Sequence, residues 1–202
     1  GGWTSQITLQ ENAVSALQYS PVKNDIIFHS DIKGDENHQL FLVSDKGGEV
    51  EYLTPSHNGA QIQFCTWNKK GTKVLFSSNK RDPRFFDTYI LDINTRTEEC
   101  IYECNDIYPF VAAAWSNNER YVLYQKFYSN SDLDIFLYDS VSKSFTIISE
   151  HKGSMKNLNC TFNKKADTVY FLSDYEREFT ALAYYKVKSG EIGWHIQDKW
   201  DI

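Results

Sequence analysis

The chain has 202 residues, with 21 Lys+Arg against 27 Asp+Glu and a formal net charge of −6. That acidic balance argues against a broad electrostatic grip on nucleic acid or an anionic membrane. No apolar run reaches the roughly 20 residues a spanning helix needs, and 41% hydrophobic with 24% charged residues suits a domain with a substantial core. Aromatic residues make up 15% of the chain and Pro only 4 positions, a bias toward strands. The chain opens Gly1-Gly2-Trp3, without Met or a basic stretch, which reads as an internal start with no signal peptide.

A repeat dominates the pattern. Tyr19-Ser20-Pro21, Trp67-Asn68-Lys69, Trp115-Ser116-Asn117 and Phe162-Asn163-Lys164 recur at spacings of 48, 48 and 47 residues. Phe28, Phe76, Tyr124 and Phe171 keep the same register. So do the runs before a tight turn: Leu40–Val43, Tyr89–Leu91, Ile135–Tyr138 and Leu182–Tyr185. Each repeat carries four short alternating runs separated by turn residues. The first predicts strands at Val14–Ser20, Asp25–His29, Gln39–Val43 and Glu49–Thr54. The second predicts Gln61–Trp67, Lys73–Ser77, Thr88–Ile93 and Glu98–Tyr102. The third predicts Val111–Ser116, Tyr121–Gln125, Asp134–Tyr138 and Ser144–Ile148, and the fourth Leu158–Phe162, Thr168–Leu172, Leu182–Lys186 and Glu191–Ile196.

Four strands per unit of about 48 residues describe a β-propeller blade. The expected fold is all-β: a propeller fragment of four four-stranded blades plus partial flanking strands. The expected divisions are residues 1–8 (last strand of a preceding blade), 9–55, 56–103, 104–149 and 150–196 (one blade each), and 197–202 (start of a further blade). A closed four-bladed ring would leave Gln6-Ile7-Thr8 unexplained. An open arc would expose apolar blade faces and offer a route to self-association. Leu17, Cys65, Ala113 and Cys160 take equivalent places two residues before each aromatic, and Cys65 and Cys160 read as buried small apolar residues.

The second-to-third connections, Asp31–His38, Asn79–Asp87, Lys126–Leu133 and Asp174–Thr180, are longer and more charged than the other turns, so this face is the expected working face. The most unusual stretch is Arg81-Asp82-Pro83-Arg84-Phe85-Phe86-Asp87. Two arginines beside two aromatics can hold a carboxylate or peptide terminus. They can equally form a salt-bridged loop that packs Phe85 and Phe86 onto the next blade. Arg81, Arg84, Phe85, Phe86 and Glu36 are the candidate substrate or interdomain contacts.

No catalytic residue is assigned. There is no Gly-x-Ser-x-Gly, and Gly153-Ser154 lies between blades rather than on a strand-to-helix elbow. His29, His38, His57, His151 and His195 are scattered, so no metal site and no cofactor are expected. His29 shares its register with Ser77, Gln125 and Leu172 and reads as a packing position. Cys100 and Cys104 lie too far apart along an extended chain for an easy disulfide.

Several stretches resemble the N-terminal propeller of prolyl-oligopeptidase-family serine peptidases, in the dipeptidyl-aminopeptidase/acylaminoacyl-peptidase branch. Gly34-Asp35-Glu36-Asn37-His38-Gln39-Leu40-Phe41 resembles its G-x-E-N-x-Q-L-Y strand. Ser78-Asn79-Lys80-Arg81-Asp82-Pro83-Arg84-Phe85-Phe86-Asp87 resembles its S-N-R-R-x-P-x-x-F-D loop, the most specific element. The W-S-P-D-G turn is degraded to Trp67-Asn68-Lys69-Lys70-Gly71, Trp115-Ser116-Asn117-Asn118-Glu119 and Phe162-Asn163-Lys164-Lys165-Ala166, and the generic blade motif is shared with the Tol periplasmic propeller.

The resemblance implies a cytoplasmic serine peptidase acting on short or N-blocked peptides. This chain would gate and position peptide substrates for a C-terminal α/β-hydrolase domain of the same polypeptide, and alone it would be inert. Its partners would be that domain and a short peptide, with no nucleic acid and no membrane. The rival readings are a non-catalytic Tol-type propeller that binds a protein partner and, more weakly, a propeller lyase on acidic sugars, which would need a histidine cluster at the axis.

Overall fold

The computed structural model describes residues 5–8, 12–32, 34–198 and 200–201. It divides into two compact units, Gly1–Glu103 and Cys104–Ile202. The first contains β1 (Val14–Tyr19), β2 (Asp25–Ser30), β3 (Gln39–Ser44), β4 (Glu51–Tyr52), a 3-10 turn (Pro55–His57), β5 (Ile62–Trp67), β6 (Lys73–Asp82), β7 (Phe85–Asp92) and β8 (Glu98–Tyr102). The second contains β9 (Phe110–Trp115), β10 (Tyr121–Ser129), β11 (Asp132–Asp139), β12 (Ser144–Ile147), β13 (Asn157–Phe162), β14 (Thr168–Ser173), β15 (Ala181–Lys186) and β16 (Ile192–Ile196). Among the described residues these form four antiparallel four-stranded sheets, each with its strands in sequence order.

Alternation along the second and third strands builds the cores. In the first unit Ile27, Leu40 and Leu53 of one sheet pack on Ile62, Val74, Phe76 and Leu91 of the next. In the second unit Leu123, Ile135, Leu137 and Ile148 pack on Cys160, Val169, Phe171 and Ala183. Ile26, Phe28, Phe41 and Val43 form a separate cluster on the other face of the first sheet, joined by Ile7. β1 is the exposed inner strand: Leu17 is 64% accessible.

The positions shared by Leu17, Cys65, Ala113 and Cys160 have a structural cause. Each falls where the first strand of its sheet slips register against the second. A β-bulge there bends the inner strand, and the residue within it is left out of the ladder. Cys160 and Cys104 are buried, but Cys65 is only half-buried and so departs from the expectation.

The polar residue after each repeated aromatic ties its turn. Asn68 Oδ1 accepts from the amides of Thr72 (2.9 Å) and Lys73 (3.0 Å). Ser116 Oγ accepts from Tyr121 N (2.8 Å), and Asn163 Oδ1 from Asp167 N (3.1 Å). Such side chains replace a missing backbone acceptor and select a tight turn.

Two of the expected loops are strand. Asn79–Asp87 and Lys126–Leu133 are largely the ends of two β-hairpins, because the ladders continue to Asp82 opposite Phe85 and to Ser129 opposite Asp132. Two-residue turns then close both hairpins. Of the flanking segments, Gly1–Thr4, Lys199 and Ile202 lie outside the described residues. Asp201 Oδ1 accepts from Thr180 N (2.8 Å) and Arg177 Nη2 donates to Asp198 O (2.7 Å), so the last residues clip onto the second-to-third connection of the fourth sheet.

The turn geometry makes opposite predictions at equivalent sites. Gly71 has φ +62°, and a Cβ there would stand 2.6 Å from Val22 Cγ2 and 2.7 Å from Ser20 Oγ. Gly71→Ala is expected to lower stability by about 1–2 kcal/mol. Glu119 occupies the same left-handed region at φ 61°, and Glu119→Gly is expected to gain about 0.5–1 kcal/mol. Urea denaturation midpoints of the two variants measure both, and a shift of the same sign in both would refute the assignment.

Candidate functional site

The second-to-third hairpin of the second sheet is built around a buried carboxylate. Asp87 is fully buried on β7, and Arg81 on β6 meets it with two parallel bonds, Nε to Oδ2 at 2.7 Å and Nη2 to Oδ1 at 2.8 Å. A bidentate pair of this kind fixes direction as well as distance. At the tip, Arg84 closes on Asp82 through Nη2 to Oδ2 at 2.7 Å, and those hydrogen bonds hold the Asp82 carboxyl down at about 2. The Phe85 ring lies under both guanidinium groups, 5.8 Å from Arg81 and 5.0 Å from Arg84. The structure thus brings Arg81, Arg84 and Phe85 together. Phe86, the next residue along β7, alternates to the other face and is half-buried. Glu36 lies in the Asp31–His38 connection of the first sheet at φ 60°, exposed, with its amide donating to Asp31 Oδ2 (3.3 Å).

The inter-sheet connections carry polar networks that sequence reasoning did not assemble. After β4, Leu53 N donates to Leu40 O (2.9 Å), and Thr54 Oγ1 accepts from Leu40 N (3.1 Å). After β12, Ile148 N donates to Ile135 O (3.0 Å), and Ser149 Oγ accepts from Ile135 N (2.7 Å). In both, a hydroxyl ends the ladder where the outer strand turns away.

His57 follows Thr54 and is fully buried. Its Nδ1 lies 2.8 Å from Ser78 Oγ and its Nε2 3.1 Å from Glu98 Oε2, while its ring meets Phe76 at 5.3 Å and Tyr89 at 4.9 Å, both edge-on. A carboxylate only accepts, so Nε2 carries the proton toward Glu98, and in the neutral ring Nδ1 accepts from Ser78. Burial raises the Glu98 carboxyl, but hydrogen bonds from His57 and Ser56 outweigh it, and the net position is below the usual range. Ser78, His57 and Glu98 have the order of a hydrolytic triad, but Ser78 is fully buried on a strand, where no substrate carbonyl can reach it.

His151 has a different environment. Its Nε2 faces Asp132 Oδ1 at 2.9 Å, and its Nδ1 faces Asp134 Oδ1 at 3.1 Å and Ser149 O at 3.0 Å. These partners are all acceptors, an arrangement that suits a ring protonated on both nitrogens. Burial lowers the His151 pKa, but the Ser149 carbonyl, Asp132 and Asp134 outweigh it and raise it above the ordinary value. Tyr128 OH donates to Asp134 Oδ2 (3.2 Å); burial first and the Asp134 charge second push that hydroxyl up to about 12.

His29 is a packing residue: burial and the nearby His38 lower it to about 4, and Nε2 accepts from Phe64 N at 3.2 Å. Among the described residues no three His, Cys, Asp or Glu side chains converge as metal ligands would, and no helix is long and apolar enough to cross a membrane. The side-chain hydrogen-bonding partners of His57 and His151 lie 17 to 41 residues away in sequence, so spacing alone did not reveal them. The signal available was the Thr or Ser that ends each outer strand shortly before each histidine.

No protein-family model and no curated protein sequence matches this chain. The fold nevertheless recurs among solved structures. TolB from Acinetobacter baumannii is similar at TM-score 0.66 and 15% identity, over 96% of this chain and 46% of that one. An oligogalacturonate lyase from Vibrio parahaemolyticus is similar at TM-score 0.68 and 9% identity, over 93% and 54%. A puromycin-hydrolyzing peptidase from Mycobacterium tuberculosis is similar at TM-score 0.66 and 9% identity, over 96% and 30%. The chain spans about half or less of the length of these proteins. What they share with it is the fold, a β-propeller fragment with four four-stranded sheets.

The His151 network makes a pH-dependent prediction. A raised folded-state pKa means that the stabilisation is fully present below the ordinary histidine value and is lost as pH climbs through the raised one. His151→Gln is therefore expected to cost about 1.5–3 kcal/mol near pH 6, and the gap to the parent protein should narrow toward about pH 9. Thermal melts of both proteins across that range test it; a gap that widens with pH would exclude a protonated His151.

Proposed function

We propose that this chain is a propeller portion of a serine peptidase of the prolyl-oligopeptidase kind. Its role is to position short or N-blocked peptides and restrict access to a Ser-Asp-His triad in a C-terminal α/β-hydrolase domain of the same polypeptide. On this reading the chain alone is inert, uses no cofactor and works in the cytoplasm. The supporting observation is the Ser78–Asp87 hairpin. The ten residues that resemble the family loop use their charges in two braces, Arg81 on buried Asp87 and Arg84 on Asp82, which hold Arg84 and Phe85 at the tip. A guanidinium on an aromatic ring suits a peptide carboxylate or a facing domain. A puromycin-hydrolyzing peptidase and a puromycin hydrolase match nearly the whole of this chain, 96% and 98% of it.

The coding sequence beyond Ile202 is the decisive experiment. The proposal expects a Gly-x-Ser-x-Gly followed by Asp and then His, and turnover of acyl-peptide or dipeptidyl chromogenic substrates by the full-length protein only. A frame that ends after one to three more blades would instead support a protein-binding propeller of the Tol type. Turnover by the chain alone that survives Ser154→Ala would refute the assignment of chemistry to another domain.

Charge reversal separates the two arginines of the hairpin. Arg81→Glu would leave two carboxylates facing each other in a buried site and open the hairpin, whereas Arg84 is exposed. In the full-length protein Arg84→Glu is expected to raise KM by about 3–10-fold, against about twofold or less for Lys69→Glu on the opposite face. Steady-state kinetics decide, and equal effects would remove this hairpin from the site.

A further inference from the structure

The four sheets repeat in register, so the fourth can be compared with the others position by position. The ladders place Phe28 beside Phe41 and Tyr52, Phe76 beside Tyr89 and Cys100, and Tyr124 beside Phe136 and Ile147. The corresponding row of the fourth sheet is Phe171, Ala183 and Trp194. The central place is aromatic three times and alanine once.

In the second sheet the space over this row is shared by Tyr89 and His57, with His57 Nδ1 bonded to Ser78 Oγ. Ser78 pairs with Ile62 across the ladder. The equivalent pair in the fourth sheet is Ser173 opposite Asn157. Each serine accepts the amide two residues on: Lys80 N at 3.3 Å and Tyr175 N at 3.2 Å. Beyond that they differ. The Ser173 proton has no acceptor among the described residues. Asn157 donates Nδ2 to Leu133 O at 2.9 Å, and its Oδ1 has no donor among them. These are deeply buried groups, Asn157 at 1% and Ser173 at 2% accessible. Where the second sheet has His57 and Tyr89, the fourth has a cavity of ≈ 360 Å³ lined by Asn157, Ser173, Phe171, Ala183, Trp194 and Met155, with exposed Glu150 also bordering it.

Asn157 and Ser173 both line this cavity, and the Asn157 amide oxygen and the Ser173 hydroxyl hydrogen have no protein partner among the described residues, so each can bond to a ligand. Directly opposed residues in an antiparallel ladder hold their Cβ atoms about 4.5–5.5 Å apart, so one small ring can serve both. The chain's own occupant of the equivalent place is an imidazole, edge-on to an aromatic and bonded to the serine. We propose that this cavity binds a planar nitrogen heteroaromatic ring, with one ring N–H donated to Asn157 Oδ1 and another ring nitrogen accepting the Ser173 proton. The ring's faces and edges meet Phe171 and Trp194. The same chemistry is offered by a histidine side chain of a peptide and by a free heterocycle. The site stands whether or not the chain serves a peptidase.

The test uses benzimidazole as the probe, N-acetyl-histidine methylamide as its peptide counterpart, and indane as the hydrocarbon of the same shape. Binding is read by saturation-transfer NMR and by Trp194 fluorescence. Benzimidazole is expected to bind about tenfold or more tighter than indane, because two hydrogen bonds separate them. Ser173→Ala should weaken benzimidazole by about 3–10-fold and leave indane unchanged. Ala183→Tyr restores the aromatic of the other sheets and should abolish both. A preference for the histidine amide over benzimidazole would assign the occupant to a peptide, and the reverse to a free heterocycle. The proposal is overturned if indane binds as well as benzimidazole, if Ala183→Tyr leaves binding intact, or if about 5 mM benzimidazole shows no transfer. Should Ala183→Tyr fail to fold by circular dichroism, Ser173→Ala and the indane comparison still decide.

Discussion

The structure depends on sheets packing face to face. The middle strands are apolar on both sides: on β2, Ile27 points into the core shared with the next sheet, while Ile26 and Phe28 point the other way. A four-stranded sheet with two apolar faces is not stable alone in water, and burial of side chains such as Ile27, Phe76, Leu123 and Phe171, each worth about 1.5–3 kcal/mol, is what a neighbouring sheet supplies. Slipping any ladder by one residue would exchange its two faces. The repeat spacing is conspicuous for this reason: equivalent side chains must meet equivalent neighbours, and only turn residues are free to vary.

The connections have a different task, which is to end an outer strand without leaving a buried amide unpaired. Thr54 and Ser149 solve it identically, with a hydroxyl that accepts from Leu40 N and Ile135 N. Then the two connections diverge. His57 comes three residues after its threonine and inserts among Ser78, Phe76 and Tyr89. His151 comes two residues after its serine and faces Asp132 and Asp134 instead. One residue of offset turns a ring held by a hydroxyl and a carboxylate into one surrounded by acceptors. It also leaves Ser173 without the imidazole that its counterpart Ser78 has.

Much of this architecture was legible in the sequence, because its causes are local. The aromatic-polar pairs mark a bulge and a side-chain-capped turn, and both act within a few residues. The strands follow from alternation, and the structure extends them into a charged run whose composition suggests loop: Lys126, Phe127 and Ser129 still alternate against Asp134, Leu133 and Asp132. What stayed hidden depends on contacts across the fold. Glu98 meets His57 over 41 residues, and Asn157 meets Leu133 over 24. Arg81 and Asp87 were recognised as unusual, yet the burial that makes Asp87 an anchor rather than a solvated charge appears only when β7 is placed inside its sheet.

A repeated architecture makes departures informative in a way that a single fold is not. Alanine in a core needs no comment by itself. Alanine where three equivalent sheets carry Phe41, Tyr89 and Phe136, above a serine and an asparagine with unused hydrogen-bonding groups, is a deletion at one copy of a shared design. The same comparison ranks the hairpins. Arg81 and Asp87 are braced to each other and serve the fold, whereas Arg84 lies at the exposed tip and the space beside Ala183 is left open by the packing. In a scaffold this constrained, positions that the packing does not dictate are the ones open to selection for binding.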